Sequence, residues 1–398
     1  MATNTPLTID MITKRALATL HGELIFPGMI NRQYDNSFAT TGAKIGSDLR
    51  IRKPAQYTTA LGKVAIAQNS VEQETTLKVD KQRHVMLEFG SAEMTLSIDD
   101  YEDRFLRPAM EQMASDMEQD VYGVVAEVGN TIVQPTSLTL KDALLAGAKM
   151  TAGTTSMSDR YLITNPFDMV DIVDSLKSVF QDSTEIASQY KKGIMGVSAG
   201  FDWYQSNRLP LITIGADVAG AVNGNPAEGF TSLAVTGFGA NQVIQAGTTF
   251  TIAGVNAVQV ETKADLGVSY QFAVLESVTL DGTGAGTLTI NPVFATGARK
   301  NVTALPTDLA VITLSGSANT TYRQSIAFQR DAFTMATADL VLPSGGAKGS
   351  RSLQDGISMR INKDWDITND NDICRADILY GYKCLRPEYA TKIWIPNV

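Results

Sequence analysis

Histidine and cysteine are almost missing from this chain of 398 residues: His21, His84, Cys374 and Cys384 are all it has. Two distant histidines and two cysteines ten residues apart make no zinc set. So few thiols fit a reducing compartment without a disulfide framework, although one bridge between the pair stays open. No stretch approaches the roughly 18 or more consecutive apolar residues of a membrane helix. The opening MATNTPLTIDMITKRALATL lacks an apolar core behind a basic start, so it does not read as a signal peptide. Charge is sparse as well, at 19% of residues, with a formal net charge of −9. That balance argues against sequence-specific nucleic-acid binding, which needs clustered Lys and Arg against phosphates. Arg50, Arg52 and Lys53 are the nearest basic cluster, too short and interrupted to form a groove. An acidic surface can still line a space that holds DNA without gripping it.

The enzyme motifs are missing too. There is no P-loop, GxGxxG or HExxH pattern. Gly196–Gly200 (GVSAG) matches the nucleophile-elbow pattern around Ser198, but that mechanism needs a histidine after the serine, and both histidines precede it. His21 at a helix end and His84 on a polar strand face read as capping and surface residues. Asp364, Asp366, Asp370 and Asp372 form an acidic cluster, yet a calcium loop would need glycine and glutamate where Asn369 and Arg375 stand. A solvated turn is the simpler reading. No catalytic, cofactor or metal site is expected.

What is present is a hydrophobic fraction of 44%, enough for a large core and roughly two or three domains. The most informative stretch is a long hairpin, out along Lys44–Pro54 and back along Thr75–Gly90. Leu77, Val79, Val85, Leu87 and Phe89 alternate with Lys78, Asp80, Gln82, His84 and Glu88. A two-stranded ribbon is marginal alone, which points to a covering molecule and hence to assembly. The charges Arg50, Arg52, Lys53, Glu72, Glu74, Lys78, Lys81 and Arg83 are either a solvated face or contacts to a neighbouring copy; both readings stand.

Residues 7–21 predict an amphipathic helix with Met11, Ile12, Ala16 and Leu20 on one side and Thr8 as N-cap, followed by an arm. Asp99–Val128 predicts the longest helix, kinked or restarted at Arg107-Pro108 because proline disfavours helical angles in the residue before it. Its stripe Met110, Met113, Met117, Val121, Val124 and Val128 reads as a buried side rather than an adaptable groove. Residues 131–214 are mixed: helix Leu138–Met150, strand Arg160–Thr164, helix Asp168–Phe180, then Gly193–Leu211, which is glycine-rich and then loops toward Pro210. From Gly215 to Phe328 charge thins and glycines crowd in between short β-patterned runs at 231–235, 248–252, 257–261, 270–278, 287–293 and 309–314. That texture predicts an inserted all-β barrel or sandwich. Strands at Ile357–Ile361, Ile373–Lys383 and Thr391–Ile395 close the chain, and we expect them to complete a sheet begun near the N-terminus.

The order of these elements resembles one family, the tailed-phage major capsid proteins of the Hong Kong 97-type fold, podovirus type with an insertion domain. The resemblance rests on Tyr34, Phe38, Lys44-Ile45-Gly46 and Ile51-Arg52-Lys53-Pro54, then Asp99-Asp100, Gly200-Phe201-Asp202, Leu209-Pro210, Gly247 and Gly254-Val255. Cys374-Arg375, Leu379-Tyr380-Gly381 and Arg386-Pro387-Glu388 complete it. It implies an α+β fold divided as follows: 1–39 an N-terminal arm; 40–95 an extended hairpin loop with peripheral-domain strands; 96–130 the spine helix; 131–214 and 328–355 the axial domain; 215–327 the inserted β-barrel-like domain; 356–398 C-terminal peripheral strands. It also implies a non-enzymatic coat protein without cofactor, assembling with itself as pentamers and hexamers into an icosahedral procapsid and then a mature virion shell. Scaffolding, portal and decoration proteins would be its partners, DNA its enclosed cargo, and the host bacterial cytoplasm its place of assembly, with no membrane involved. Arg107 and Pro108 would be hinge residues. An encapsulin-like compartment shell, or a decoration or tail protein, is the alternative; the β-insert and the long helix speak for the coat protein.

Overall fold

A computed structural model describes residues 9–32, 47–53, 73–90, 105–175, 196–297, 299–342, 348–366 and 371–397. The chain divides into two compact units. The first gathers Met1–Arg52, Glu74–Val121 and Phe333–Lys383; the second gathers Lys53–Gln73, Tyr122–Ala332 and Cys384–Val398.

In the first unit, helix α1 (Ile9–Glu23) and the short α2 (Phe26–Met29) precede a two-stranded ribbon, β1 (Ser47–Lys53) with β2 (Gln73–Val79). Next come β3 (Lys81–Gly90) and helix α3 (Arg107–Val121). The expected arm is not free over its described part. Thr13, Ala16, Leu17 and Leu20 are buried, whereas Met11, expected on the stripe, is 45% exposed. Burying that stripe gives α1 partners within its own chain, β19 (Lys348–Gln354) and α3. Asn31 then stitches the segment to β18 (Phe333–Ala338): its N–H donates to Phe333 O at 3.1 Å, and its carbonyl accepts from Met335 N at 3.1 Å. Thr8 and residues 33–39 lie outside the described residues.

The unit's sheet has five strands: β18, β21 (Asn371–Cys384), β20 (Ile357–Asp366) and β19 in that order, with β3 antiparallel to β21. The tail strand therefore does pair with one from near the start of the chain. The methionine stripe of α3 is buried as expected at Met110, Met113, Met117 and Val121, worth about 1.5–3 kcal/mol for each side chain. From Phe333 onward, segment 328–355 belongs to this unit.

The second unit opens with a 3₁₀ continuation, Tyr122–Glu127, then β4 (Thr131–Val133), α4 (Leu140–Ala152), β5 (Arg160–Thr164) and α5 (Pro166–Ser175). Asp142 at the third position of α4 accepts the Thr139 N–H at 2.9 Å, tying the helix start. The glycine-rich segment holds a hairpin, β6 (Val197–Ser198) and β7 (Phe201–Gln205), followed by β8 (Ile212–Thr213). These strands, with β17 (Thr321–Gln329) and β22 (Ala390–Pro396), make a seven-stranded sheet ordered β4-β22-β17-β5-β7-β6, with β8 on β17. Met150, Ala146, Met169 and Ile172 of α4 and α5 pack with Leu162, Trp203, Ala327 and Ile393. The tail thus departs from its expected course, because β22 joins this sheet and not the five-stranded one.

Between β8 and β17 the chain builds a closed antiparallel barrel. Its strands are β9 (Ala219–Val222), β10 (Ser232–Thr236), β12 (Thr249–Val258), β13 (Asp265–Val274), β15 (Gly286–Asn291) and β16 (Val311–Leu314), beside a small pair, β11 (Val243–Ile244) with β14 (Val278–Thr279). Alternate residues point inward: Leu233 and Val235, Phe250 and Ile252, Phe272 and Val274, Leu288 and Ile290, Ile312 and Leu314. The run expected at 257–261 is no separate strand; β12 ends at Val258 and turns into β13.

Candidate functional site

The ribbon base carries the first part of the site. The expected single return strand is two strands broken at Asp80: β2 pairs with β1, and β3 pairs with β21. Alternation survives the break, since Leu77 and Val79 are fully buried while Lys78, Asp80, Gln82, His84 and Glu88 are exposed. The base is therefore supported by its own chain, contrary to the expectation of a bare ribbon. A Cβ on Gly381 would stand 1.9 Å from the Lys78 carbonyl oxygen, so β21 meets β2 backbone to backbone. On the open face Arg50 and Glu74 pair at 3.6 Å, and Arg52 and Lys78 are exposed. The Lys53 side chain, Glu72 and the tip at 54–72 lie outside the described residues.

Lys81 and Arg83, read either as a solvated face or as contacts to a neighbouring copy, also bond within the unit. Lys81 Nζ donates to Asp120 Oδ1 at 2.8 Å and to the Tyr382 hydroxyl. Tyr380 OH donates to Asp120 Oδ2 at 2.8 Å, and Tyr382 OH to Asp120 Oδ1 at 3.2 Å. Arg83 hydrogen-bonds Tyr380. Asp120 stands in the last turn of α3, where the helix dipole disfavours a carboxylate. Burial also works against its charge, yet hydrogen bonds from Lys81 and Tyr380 hold its carboxyl below the usual range. Burial of the Tyr380 phenol, reinforced by its bond to Asp120, pushes that group up. This knot pins the C-terminal end of α3 to β3 and β21.

A second charged knot lies on the same sheet. Asp377, fully buried, is gripped by Arg360 Nη2 at 2.7 Å, Arg375 Nε at 2.8 Å and Gln82 Nε2 at 3.1 Å. Burial opposes its ionisation, but the two guanidinium groups outweigh that and keep its carboxyl low. Neither knot was expected from the sequence. The available signals were an acidic residue in a helix's last turn and an aspartate within a run that reads as strand.

The discounted chemistry finds structural explanations. Ala199 (φ 53°) and Gly200 (φ 79°) form the left-handed turn joining β6 to β7, so the GVSAG pattern is a hairpin turn. Ser198 offers its backbone carbonyl to Trp203 Nε1 at 2.9 Å. His21 pairs with Asp355 at 3.1 Å, and His84 is exposed on β3. Cys374 and Cys384 are buried thiols without a disulfide. Asp364 and Asp366 lie on β20; Asp370 and the side chain of Asp372 are outside the described residues. Among the described residues no group of three or more His, Cys, Asp or Glu could hold a metal, and no helix is long and apolar enough to cross a membrane. Arg107 opens α3 with Pro108 in the first turn, where a missing N–H costs nothing, and Arg107 Nε meets Glu111 Oε1 at 3.0 Å. The helix expected upstream, at 99–104, lies outside the described residues.

The model of the family described as P22 coat protein, gene protein 5, matches residues 1–392. Comparison with curated protein sequences finds no match. Among solved structures, one from Mycobacterium phage Che8 is similar with 12% identity and a TM-score of 0.47, covering 93% of this chain and 90% of that one. The capsid of Ralstonia phage GP4 gives 7% identity and a TM-score of 0.46, covering 89% and 84%. The CUS-3 coat protein I-domain gives 25% identity and a TM-score of 0.20, covering 25% of this chain and 96% of that one. A match over nearly the whole length, in a chain whose polar clusters hold strands and helices together, decides the matter: the chain belongs to the P22 coat protein family and is a tailed-phage major capsid protein.

Proposed function

We propose that copies of this chain close an icosahedral procapsid from pentamers and hexamers, with the Hong Kong 97-type division of labour. In this reading the unit around α3 and the five-stranded sheet is the peripheral domain, and the seven-stranded sheet with α4 and α5 is the axial domain. The barrel is the inserted domain. Segment 40–95 supplies the loop that overlaps a neighbouring subunit, through Arg50, Arg52, Lys53, Glu72, Glu74 and Lys78. Lys81 and Arg83, which also bond within the subunit, complete that set. Arg107 and Pro108 remain the hinge at which the spine helix changes its packing as the shell matures. Assembly runs in the host bacterial cytoplasm with scaffolding and portal proteins. The protein performs no catalysis, and its net charge of −9 supports enclosing DNA without gripping it.

The observation that carries this reading is the coat-protein match over residues 1–392. Repeated, symmetry-related interfaces are what such a subunit needs. The test is co-expression with the scaffolding protein from the same phage, followed by electron microscopy of the purified product. Closed shells of uniform diameter are expected; monomers or open sheets alone would overturn the proposal.

A further inference from the structure

The barrel leaves the seven-stranded sheet at β8 and returns at β17, two strands paired at Thr213–Thr321 and Ile212–Tyr322. Two connectors of this kind would by themselves let a barrel swing. Its root is instead filled with buried polar contacts. Lys392 on β22 is fully buried and donates to the Gly247 carbonyl at 2.7 Å. Lys149 on α4 donates to Thr131 O at 2.8 Å and to Gln271 Oε1 at 2.7 Å. Gln271, on β13 of the barrel, also takes the Thr131 N–H at 2.9 Å and returns its own Nε2–H to Thr131 O at 3.0 Å, pairing as a strand backbone would. Asn291 on β15 donates to the Glu127 carbonyl at 2.7 Å. The backbones nearly touch: a Cβ on Gly129 would lie 2.6 Å from Gln271 O, and one on Gly247 would lie 3.3 Å from the Ala126 Cα.

We propose that this root is an acid-releasable joint, in which Lys392 and Lys149 lock the barrel to the seven-stranded sheet and hydration of their ammonium groups lets the barrel swing as a body without unfolding. The geometry is unusual because two lysines point into the root with backbone and amide oxygens, and among the described residues no carboxylate, as their hydrogen-bond partners. Beside Lys392 stand the Cys384 thiol and the Trp394 ring, 5.5 Å from Nζ; Glu127 contributes its backbone carbonyl to the root, to Asn291. Burial pushes Lys392 down to about 7 and Lys149 down to about 8. In an open, wet joint both return toward their ordinary value of 10.5. The open form then binds more protons than the closed form between those values. Falling pH therefore favours opening from about 10.5 down to about 7, and further acid adds nothing through these two groups.

The test is amide hydrogen exchange on the full chain, expressed as protection relative to each amide's intrinsic rate. Thr131 N–H, bonded to Gln271, reports the root; Val274 and Ile290 N–H, bonded to Thr248 and Thr231, report the barrel. Between pH 9 and pH 7 the root amide should lose at least tenfold protection while the barrel amides keep theirs. In Lys392→Met with Lys149→Met that pH dependence should vanish. The wild-type arm stands alone if the double variant does not fold. Root protection that is flat with pH, a double variant that keeps the dependence, or barrel amides that fall in step with the root would each overturn the joint.

Discussion

In the barrel, strands drawn from one stretch of chain, Ala219 to Leu314, close on each other and leave no open edge. In the five-stranded sheet, β3 lies against β21 from the far end of the sequence, and charged knots at Asp120 and Asp377 hold the pieces in register. A closed barrel is specified by alternation alone: each inward residue meets others on neighbouring strands of the same stretch. The open sheet must bring distant segments together, and it uses polar contacts that tolerate only one arrangement. The difference separates a body specified by local pattern from a platform specified by pairing between distant segments.

The comparison can be broken most severely inside the barrel. Phe272 packs with its ring centroid 5.6 Å from Phe250 and 4.8 Å from Phe294. Phe272→Ala should cost about 3–5 kcal/mol, lowering the barrel's calorimetric transition while exchange protection of β20 and β21 stays unchanged. Next comes Gly381→Ala, which sets a methyl against the Lys78 carbonyl and should cost about 1–3 kcal/mol by forcing β2 from β21. Urea unfolding would read the loss, and β2 amides should lose protection first.

Asp120→Asn should cost about 1–2 kcal/mol, less than a fully buried pair because Lys81 is 40% exposed. Because the folded carboxyl is held below its ordinary value, its contribution is present above about pH 4 and lost as acid protonates it. The wild type should therefore lose its advantage over Asp120→Asn below that pH, as denaturation midpoints at pH 3 and pH 7 would show. The smallest effect should come from Arg50→Ala: the exposed pair with Glu74 is worth about 0–1 kcal/mol, so monomer stability barely changes. Any larger loss should appear only in the yield of assembled shells.

Legibility in the sequence follows the same division. The barrel core was readable because Phe250, Ile252, Phe272 and Val274 announce their period locally, while β9 (AGAV) went unread because small residues carry little pattern. The methionine stripe of α3 was legible for the same reason, and the α1 stripe was read slightly out of phase because Met11 is as apolar as the residues that are buried. The switch of partner at Asp80 was invisible, since alternation from Leu77 to Leu87 continues whichever strand lies alongside. The tail divides between two sheets for reasons no local pattern records. Lys392 left one trace: a lysine inside Ala390–Ile395, a run buried on both faces, must be held by something. Asp120 left another, as an acid at the wrong end of a helix.

The ribbon tip offers the most direct measurement. Residues 55–73 would be replaced by a short turn, and the variant co-expressed with its scaffolding protein, examined by electron microscopy, and checked for an intact barrel transition by calorimetry. The account predicts a folded, soluble subunit that forms no shells. Normal shells from that variant would contradict it.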